Sequence, residues 1–253
     1  MNNYSKPEKS PWKLPLLAII AVLLVLSMLR LGVWQLTRAD QKQVIVDQLS
    51  SQSQLPAMLK EELLKSQNTN DLRFRMVTLS GHYAAQKTVF VDNQVVNGQV
   101  GYQVFTPFIV DNSENAIMVA RGFVAVGDSR NVLPTVQTSQ TRIQIEGRLN
   151  LPPAKPPMWN DEYPIFEGAR WQFLPIADLA KQLHLDLFPL VVELPPNKAK
   201  ESAITNDLVR QWSVIDDQWV AKHKGYAFQW FAMAAAFFIA CLVLLLRTLS
   251  TKN

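Results

Sequence analysis

Two long uncharged apolar runs dominate the hydropathy pattern, one near each end of the chain. The first extends from Leu14 to Leu29 and the second from Gly225 to Leu246. A helix of the second length rises about 33 Å, enough to cross a bilayer core of about 30 Å. The first reaches spanning length if its helix continues through residues 30–37. The pattern therefore predicts transmembrane helices over 14–37 and 223–247.

A basic leader precedes the first apolar run, as it does in a secretory signal peptide. The run is longer than a usual signal core and no small-x-small cleavage site follows it, so we interpret it as an uncleaved anchor. The acid-containing, Arg-free tail favours a bacterial origin over an organelle transit peptide. Two spans place the tails 1–13 and 248–253 on one side, and the positive-inside rule favours the cytoplasm. Segment 38–222 is then expected on the periplasmic side of an inner membrane.

Between the spans, the pattern changes from helical to strand-like. Segment 38–66 is rich in Glu, Gln, Leu and Lys and predicts a helix that prolongs the first span, with a break near Pro56. From Arg73 onward, short runs of Val, Ile, Phe and Thr alternate with turn residues. The predicted strands are RFRMVTL (73–79), KTVFVDN (87–93), VGYQVFTPFIV (100–110), AIMVARGFVAV (116–126), RIQIEGRL (142–149), FPLVVEL (188–194) and RQWSVID (210–216).

The spacing of these strands is typical of an antiparallel sheet or barrel rather than of βαβ units. The stretch 109–119 predicts a hairpin with a five-residue loop, and 175–185 predicts a short amphipathic helix. The Pro-rich stretch 151–159 is interpreted as a stiff surface loop rather than a domain boundary. We therefore expect a membrane protein in which two transmembrane α-helices flank one β-rich α+β extracytoplasmic domain with a leading helix.

Composition narrows the possible chemistry. Of the 253 residues one is Cys and three are His, and the formal net charge is +4. No nucleophile elbow, zinc-protease motif, phosphate-binding loop or dinucleotide fingerprint is present, so we do not expect an enzyme. The dispersed Met residues and a single thiol, Cys241, predict no direct copper site. The basic residues form no aromatic-interleaved stripe, so no nucleic acid partner is expected, and the positive charge better suits a lipid bilayer.

A candidate site lies at the edge of the second span. His223, Tyr226 and Trp230 share one helix face if the helix extends back to His223. If the spans pair antiparallel, Trp34 and Arg38 lie at the same level. An imidazole with flat aromatic side chains and a cation suits a haem, because imidazole binds iron and Arg pairs with propionates. Interfacial Trp, Tyr and basic residues are equally typical of an ordinary membrane edge, so spacing leaves His223 undecided.

Five segments, taken in order between the terminal apolar runs, resemble the surfeit locus protein one family. Members of that family assist assembly of haem-copper cytochrome c oxidase. The segments are LGVWQLTRADQK (31–42), VDNQVVNGQVGYQVFTPF (91–108), ARGFVAVGDSR (120–130), EGRLNLPP (146–153) and HKGYAFQWFAMA (223–234). The resemblance spans essentially the whole chain. The chain departs from the family pattern at Gln94, Ala120 and Phe123, where Arg, Asn and Trp are common.

The resemblance implies an assembly factor that assists haem a delivery or insertion into oxidase subunit I. His223 would be the ligand of the haem iron in transient binding, with Tyr226 and Trp230 in the same motif. Trp34, Gln35 and Arg38 match the first-span motif, to which the family assigns no settled role. The implied partner is subunit I of cytochrome c oxidase, with haem a synthase as a second candidate.

Two other interpretations remain open from the sequence. In the first, the protein is a membrane scaffold that stabilises an oxidase assembly intermediate without binding haem, and His223 is an interfacial anchor. In the second, remoter one, it is a periplasmic sensory domain. A sensor would need a cytoplasmic output module, for which the residues after Leu246 leave no room.

Overall fold

The computed structural model describes the chain in six stretches. They are residues 12–66, 68–127, 129–157, 159–196, 208–212 and 217–250. The chain divides into two compact units, which we call the helix pair (1–47 with 215–253) and the β domain (48–214).

The helix pair is formed by α1 (Lys13–Ser53) and α4 (Asp217–Ser250). Both helices are long and apolar enough to cross a membrane. Their large apolar side chains are mostly exposed, for example Leu17 at 61% and Leu244 at 62%. Such an exposed apolar surface is costly in water and favourable in lipid. The prediction of a membrane protein with two long apolar helices flanking a β-rich domain is confirmed.

Both helices extend further toward the β domain in sequence than the predicted spans. At 41 residues α1 rises about 60 Å, roughly twice a bilayer core. The good helix formers after Thr37 continue α1 to Ser53, which confirms most of the helix predicted over 38–66. The compact helical unit therefore includes 38–47 and 217–222, which the sequence-based boundaries placed in the segment 38–222.

Within the described residues, the β domain contains two short α-helices and eight strands. The helices are α2 (Lys60–Lys65), which follows the predicted break near Pro56, and α3 (Ile176–Leu183). The strands are β1 (Met76–Tyr83), β2 (Val89–Val96), β3 (Gln99–Val110), β4 (Asn115–Ala125), β5 (Ile143–Asn150), β6 (Phe166–Glu167), β7 (Arg170–Trp171) and β8 (Asp186–Glu193).

Six of the seven predicted strands are confirmed as β1 to β5 and β8, with shifted ends. The seventh, RQWSVID, is wrong for its described part, because Arg210–Trp212 lie outside any strand; residues 213–216 lie outside the described residues. The predicted hairpin is confirmed between β3 and β4, but its loop has four residues, since Asn115 already belongs to β4. The Pro-rich stretch 151–159 lies within the β domain, as expected of a loop.

The strands form one sheet in the order β1-β5-β8-β4-β3-β2-β7-β6, and β1 also pairs with β3. The extra pairing closes β1, β5, β8, β4 and β3 into a five-stranded ring, a small barrel. The predicted antiparallel sheet is only partly correct, because β4 pairs with β8, and β2 with β7, in parallel. The long connection from β5 through α3 returns β8 to the sheet in the direction of β4.

The barrel closes at Gly81. This residue pairs with Ile143 on β5 and with Val110 on β3, so β1 changes neighbours at this point. A Cβ atom at Gly81 would lie 2.0 Å from the carbonyl oxygen of Ile109. Only glycine permits this close approach of two backbones.

Both faces of β4 are buried, which explains its continuous apolar sequence. Ile117 and Val119 join a cluster with side chains from all five ring strands, which fills the barrel interior. The alternate residues Met118 and Ala120 join a second cluster with Trp171 and the helix α3. When both faces of a strand are buried, its sequence is a continuous run of hydrophobic residues and does not alternate with polar ones.

Candidate functional site between the two long helices

Small residues bring α1 and α4 into close contact. A Cβ atom at Gly32 would lie 2.5 Å from Cε1 of Phe231 on the facing helix. Ala39 on α1 and Ala227 and Ala234 on α4 are also buried. Small side chains let membrane helices approach closely enough for van der Waals and polar contacts between them. We call the facing stripe of Gly32, Gln35, Ala39, His223, Ala227 and Ala234 the helix seam.

A polar pair lies in the helix seam. Nδ1 of His223 is 2.7 Å from Oε1 of Gln35, so the two helices are joined by a side-chain hydrogen bond. Gln35 follows Gly32 by three residues, and His223 precedes Ala227 by four, so each lies on the small-residue face of its helix. The helix extends back to Asp217, which confirms the continuity that the predicted grouping around His223 required.

The hydrogen bond fixes the chemistry of the imidazole. An amide oxygen accepts, so Nδ1 of His223 carries the proton that it donates to Gln35. In the neutral ring, Nε2 then keeps its lone pair, which is the form that binds a metal ion. Histidine ligands in proteins usually donate their other N–H to a carbonyl or carboxylate group in this way. The donor set therefore fits one axial ligand of a haem iron.

The structure places the other predicted site residues on different sides of the pair. Trp230 lies on the same side of α4 as His223 and is partly buried. Tyr226 is about 60° further round the helix and is 52% exposed. Trp34 lies about 200° from Gly32 round α1 and is 49% exposed. The guanidinium carbon of Arg38 lies 5.7 Å from the Trp34 ring centroid, so these two residues pair with each other.

The predicted niche is therefore not assembled around one point. Trp34 and Arg38 lie at the level of His223 along the pair but face away from the seam. The reason is helical geometry, because a residue two positions from a seam glycine points to the opposite side. An exposed Trp–Arg pair is typical of a membrane–water interface.

A second cation–aromatic group lies near the start of α4. The Nζ atoms of Lys42 and Lys222 lie 6.0 Å and 5.2 Å from the ring centroid of Trp219. The Trp219 ring is half exposed. Lys with Trp at the end of a span is the arrangement expected of a headgroup-level anchor. This part of the helix pair fits the membrane-edge interpretation rather than a ligand site.

A cavity of about 470 Å³ lies between the helices toward their other ends, away from His223. Its lining is almost entirely apolar and includes Ala21, Val25, Phe238 and Cys241. In the part of the chain that the structure describes, no group of three or more His, Cys, Asp or Glu side chains could hold a metal ion. His223 thus remains the side chain on which metal chemistry in the helix pair would depend.

Gln35 is the functional candidate that the sequence alone did not single out. It belongs to the first-span motif, to which the resemblance assigns no role. Two signals were available: an uncharged polar side chain within a long apolar helix, and its spacing of three and four residues from Gly32 and Ala39. Intramembrane polar residues usually face a partner helix rather than lipid.

The fold and the seam together define a class of protein: a two-span membrane protein with a closed β domain and a His–Gln pair between its spans. The model of the SURF1 family matches residues 22–235, which is most of the chain. The chain belongs to the SURF1 family, and the resemblance to the surfeit locus protein one family is thereby confirmed.

Relatives from distant organisms share this similarity. The chain is 24% identical over 227 residues to the cytochrome oxidase assembly protein SHY1 of Saccharomyces cerevisiae, covering 83% of this chain and 58% of the yeast protein. It is 25% identical to a SURF1-like protein of Rickettsia bellii, covering 87% and 86% of the two chains. A SURF1-like protein of Rickettsia felis is 23% identical over 87% of this chain and 93% of its own length.

Proposed function

We propose that this protein is an assembly factor for haem-copper cytochrome c oxidase that assists the delivery or insertion of haem a into subunit I. In this proposal it is not an enzyme. It carries a cargo, and its β domain lies on the periplasmic side of a bacterial inner membrane. Subunit I is the receiving partner, and haem a synthase is a candidate donor.

Family membership supports the assembly role. The SURF1 model covers the β domain, most of α1 and the first part of α4, and the similar yeast protein is named a cytochrome oxidase assembly protein. The similarity covers 83% of this chain and 58% of the yeast protein. A membrane-embedded acceptor would be reached most directly by a membrane-spanning protein.

The hydrogen bond between His223 and Gln35 is the observation that carries the haem proposal. It presents Nε2 as the available ligand atom, while Gln35 holds the ring orientation through Nδ1. Trp230 on the same helix side would offer a flat surface to a macrocycle. Haem iron bound at this position would be held by the imidazole of His223, which would supply a nitrogen ligand.

Single-sided ligation suits a carrier that has to release its cargo. A ring held by two protein ligands would exchange slowly, whereas one imidazole at a partly exposed position can be replaced by a ligand of the acceptor. Gln35 remains hydrogen-bonded before and after transfer, so His223 keeps the same tautomer throughout. The helix seam would thus orient the His223 ring rather than enclose the haem.

The direct test is a spectral titration of the full chain in mild detergent with haem a. The wild-type protein should give a saturable shift of the Soret band, and His223→Ala should lose it. His82→Ala is the matched control, because His82 is an exposed histidine on β1. This control should bind like the wild type.

An unchanged Soret shift in His223→Ala would contradict the ligand assignment. Absence of any saturable shift in the wild type would favour the scaffold alternative, in which the protein stabilises an oxidase assembly intermediate without contacting haem.

A further inference from the structure

The β domain contains a half-buried arginine that forms no ion pair with an acid among the residues that the structure describes. Arg121 lies on β4, and its guanidinium carbon is 5.2 Å from the ring centroid of Tyr83, a buried residue at the end of β1. Among the ion pairs formed by the described residues, none includes Arg121. A desolvated cation without a counter-charge is costly, so its presence indicates a function.

The sequence positions this arginine through a β-bulge. Val104 on β3 pairs with Gly122, and the next residue, Phe105, pairs with Ala120, so Arg121 is the extra residue on β4. A bulge redirects the side chain of the inserted residue and recurs next to functional sites. Here it directs Arg121 toward Tyr83 instead of leaving it in the regular alternation of the strand.

The following glycine brings a second arginine to the same place. Gly122 has a φ of +139°, and a Cβ atom on it would lie 2.7 Å from Cβ of Leu208. The segment around Leu208 is held beside β4 by two hydrogen bonds, from the N–H of Phe123 to the oxygen of Val209 and in reverse, at 2.7 and 2.9 Å. Arg210 is thereby fixed close enough to act electrostatically on both Arg121 and Tyr83.

Arg121 has N–H donors that its hydrogen bonds within the chain do not use. Its Nη2 donates to the backbone oxygen of Gln137 at 2.9 Å, and its Nη1 donates to the hydroxyl of Thr138. A guanidinium has five N–H donors, so these two bonds orient the group without saturating it. The bonds go to one neighbouring segment and use one N–H on each Nη nitrogen, so three of the five N–H donors remain for an acceptor.

The arginine cluster around Phe74 offers a contrast within the same domain. There Arg148 donates to Glu193 through Nε and Nη2, and the second carboxylate oxygen accepts from Asn150 at 2.7 Å. Glu193 also acts on Arg73, so that a carboxylate of the chain balances the cluster. At Arg121 no such carboxylate of the described chain is in place.

The electrostatics of the group are those of an anion site. Burial lowers the pKa of the Arg121 guanidinium below its usual value, and the nearby Arg210 lowers it further. Burial raises the pKa of Tyr83, so its phenol keeps its proton at neutral pH. An anion bound here would compensate the desolvation of Arg121.

We propose that Arg121 and the Tyr83 phenol, with Arg210 close by, form a binding site for an oxyanion, a carboxylate or phosphate group. The N–H groups of Arg121 that residues 137–138 do not use supply charged donors, and the phenol supplies a further donor. This site lies in the β domain and is independent of the haem proposal.

The test is a titration of the full chain in non-ionic detergent with inorganic phosphate, followed by ³¹P line broadening, at constant ionic strength set with chloride. A second titration uses acetate, followed by ¹³C line broadening. Wild-type protein should bind one of the two probes saturably. Arg121→Gln should weaken that binding about tenfold or more, because it removes a charge-assisted fork.

Arg142→Gln is the matched control, since it removes the same charge from an exposed arginine that pairs with Asp111. It should leave binding unchanged. Tyr83→Phe keeps both arginines and the ring, and it should weaken binding by a smaller factor. Near-ultraviolet circular dichroism checks that each variant is folded.

The preferred probe identifies the ligand class: phosphate binding without acetate binding indicates a phosphate group, and saturable acetate binding indicates a carboxylate. The proposal is overturned if the wild type binds neither probe saturably. It is equally overturned if folded Arg121→Gln and Tyr83→Phe bind as tightly as the wild type, which would leave Arg121 as a structural tie to residues 137–138.

Discussion

The helix pair and the β domain bury their side chains in different ways. In the helix pair most large apolar side chains are exposed, and the contact between helices depends on small residues and one polar pair. In the β domain, strands such as β4 are buried on both faces, and a ring of five strands encloses an apolar cluster. The exposed apolar surface of the helix pair is suited to contact with lipid, whereas the β domain buries its apolar side chains in its own core.

The helix pair and the β domain also differ in which atoms lie against a closely packed glycine. At Gly81 the neighbour is a backbone carbonyl oxygen, which cannot move without breaking the sheet. At Gly32 the nearest atoms belong to the outer edge of the Phe231 ring, which can rotate. The β domain should therefore tolerate added volume much less than the helix seam does, and this difference can be measured.

The largest effect is expected for Gly81→Val. The new side chain would enter the space of the Ile109 carbonyl where β1 passes from β5 to β3, so the barrel could not close. We expect a loss of about 4 kcal/mol or more in the free energy of unfolding. Urea unfolding followed by near-ultraviolet circular dichroism measures it. Gly127→Val is the control, because nothing lies within 4 Å of its added atom.

A Gly81→Val protein as stable as its Gly127→Val control would show that the five-stranded ring is not closed through β1 and β3.

A smaller effect is expected for Gly32→Val. The Phe231 ring has to turn aside and the helices have to separate slightly, at a cost on the order of 1–2 kcal/mol. Gly225→Val makes the same substitution on α4 where the added atom meets open space, and it controls for helix propensity. Distances between spin labels on α1 and α4 in lipid nanodiscs should increase for Gly32→Val only. An equal change in both variants would argue against the Gly32–Phe231 contact.

The smallest effect on stability is expected for Gln35→Leu. It removes one hydrogen bond between membrane helices, worth about 0.6 kcal/mol on average. A double-mutant cycle with His223→Leu measures the coupling. Nitrogen chemical shifts of His223 should show the proton on Nδ1 in the wild type and a mixture of tautomers in Gln35→Leu. A zero coupling energy with an unchanged tautomer would remove Gln35 from the site.

Much of the fold could be predicted because its signals are local. The apolar runs at both ends predicted α1 and α4, and alternation or β-branched runs predicted six of the strands. Pairing between distant strands has no such local signal. The closure of β1 onto β3 spans 25 to 29 residues and the parallel pairing of β4 with β8 spans 71 to 73, so the sequence predicted an antiparallel sheet or barrel without these pairings.

The candidate site could be predicted only in part, because contacts between the two helices also have no local signal in the sequence. Spacing grouped His223, Tyr226 and Trp230 on one face of α4, and the structure has His223 and Trp230 on the same side with Tyr226 about 60° away and exposed. Spacing also grouped Trp34 and Arg38 with them by their level along the helix, because the facing side of α1 was unknown. Gly32 and Phe231 fix that side, and they turn Gln35 rather than Trp34 toward His223. The rotation of one helix relative to its partner is decided by packing, which one sequence does not display.

In the proposed function, this protein helps to load haem a into cytochrome c oxidase through His223. The most direct measurement is the haem a content of oxidase purified from a strain that lacks the gene and is complemented with wild type, His223→Ala or His82→Ala. We expect haem-deficient oxidase without the gene and with His223→Ala, and full haem a content with wild type and with His82→Ala. Fully loaded oxidase in the strain that lacks the gene would contradict it.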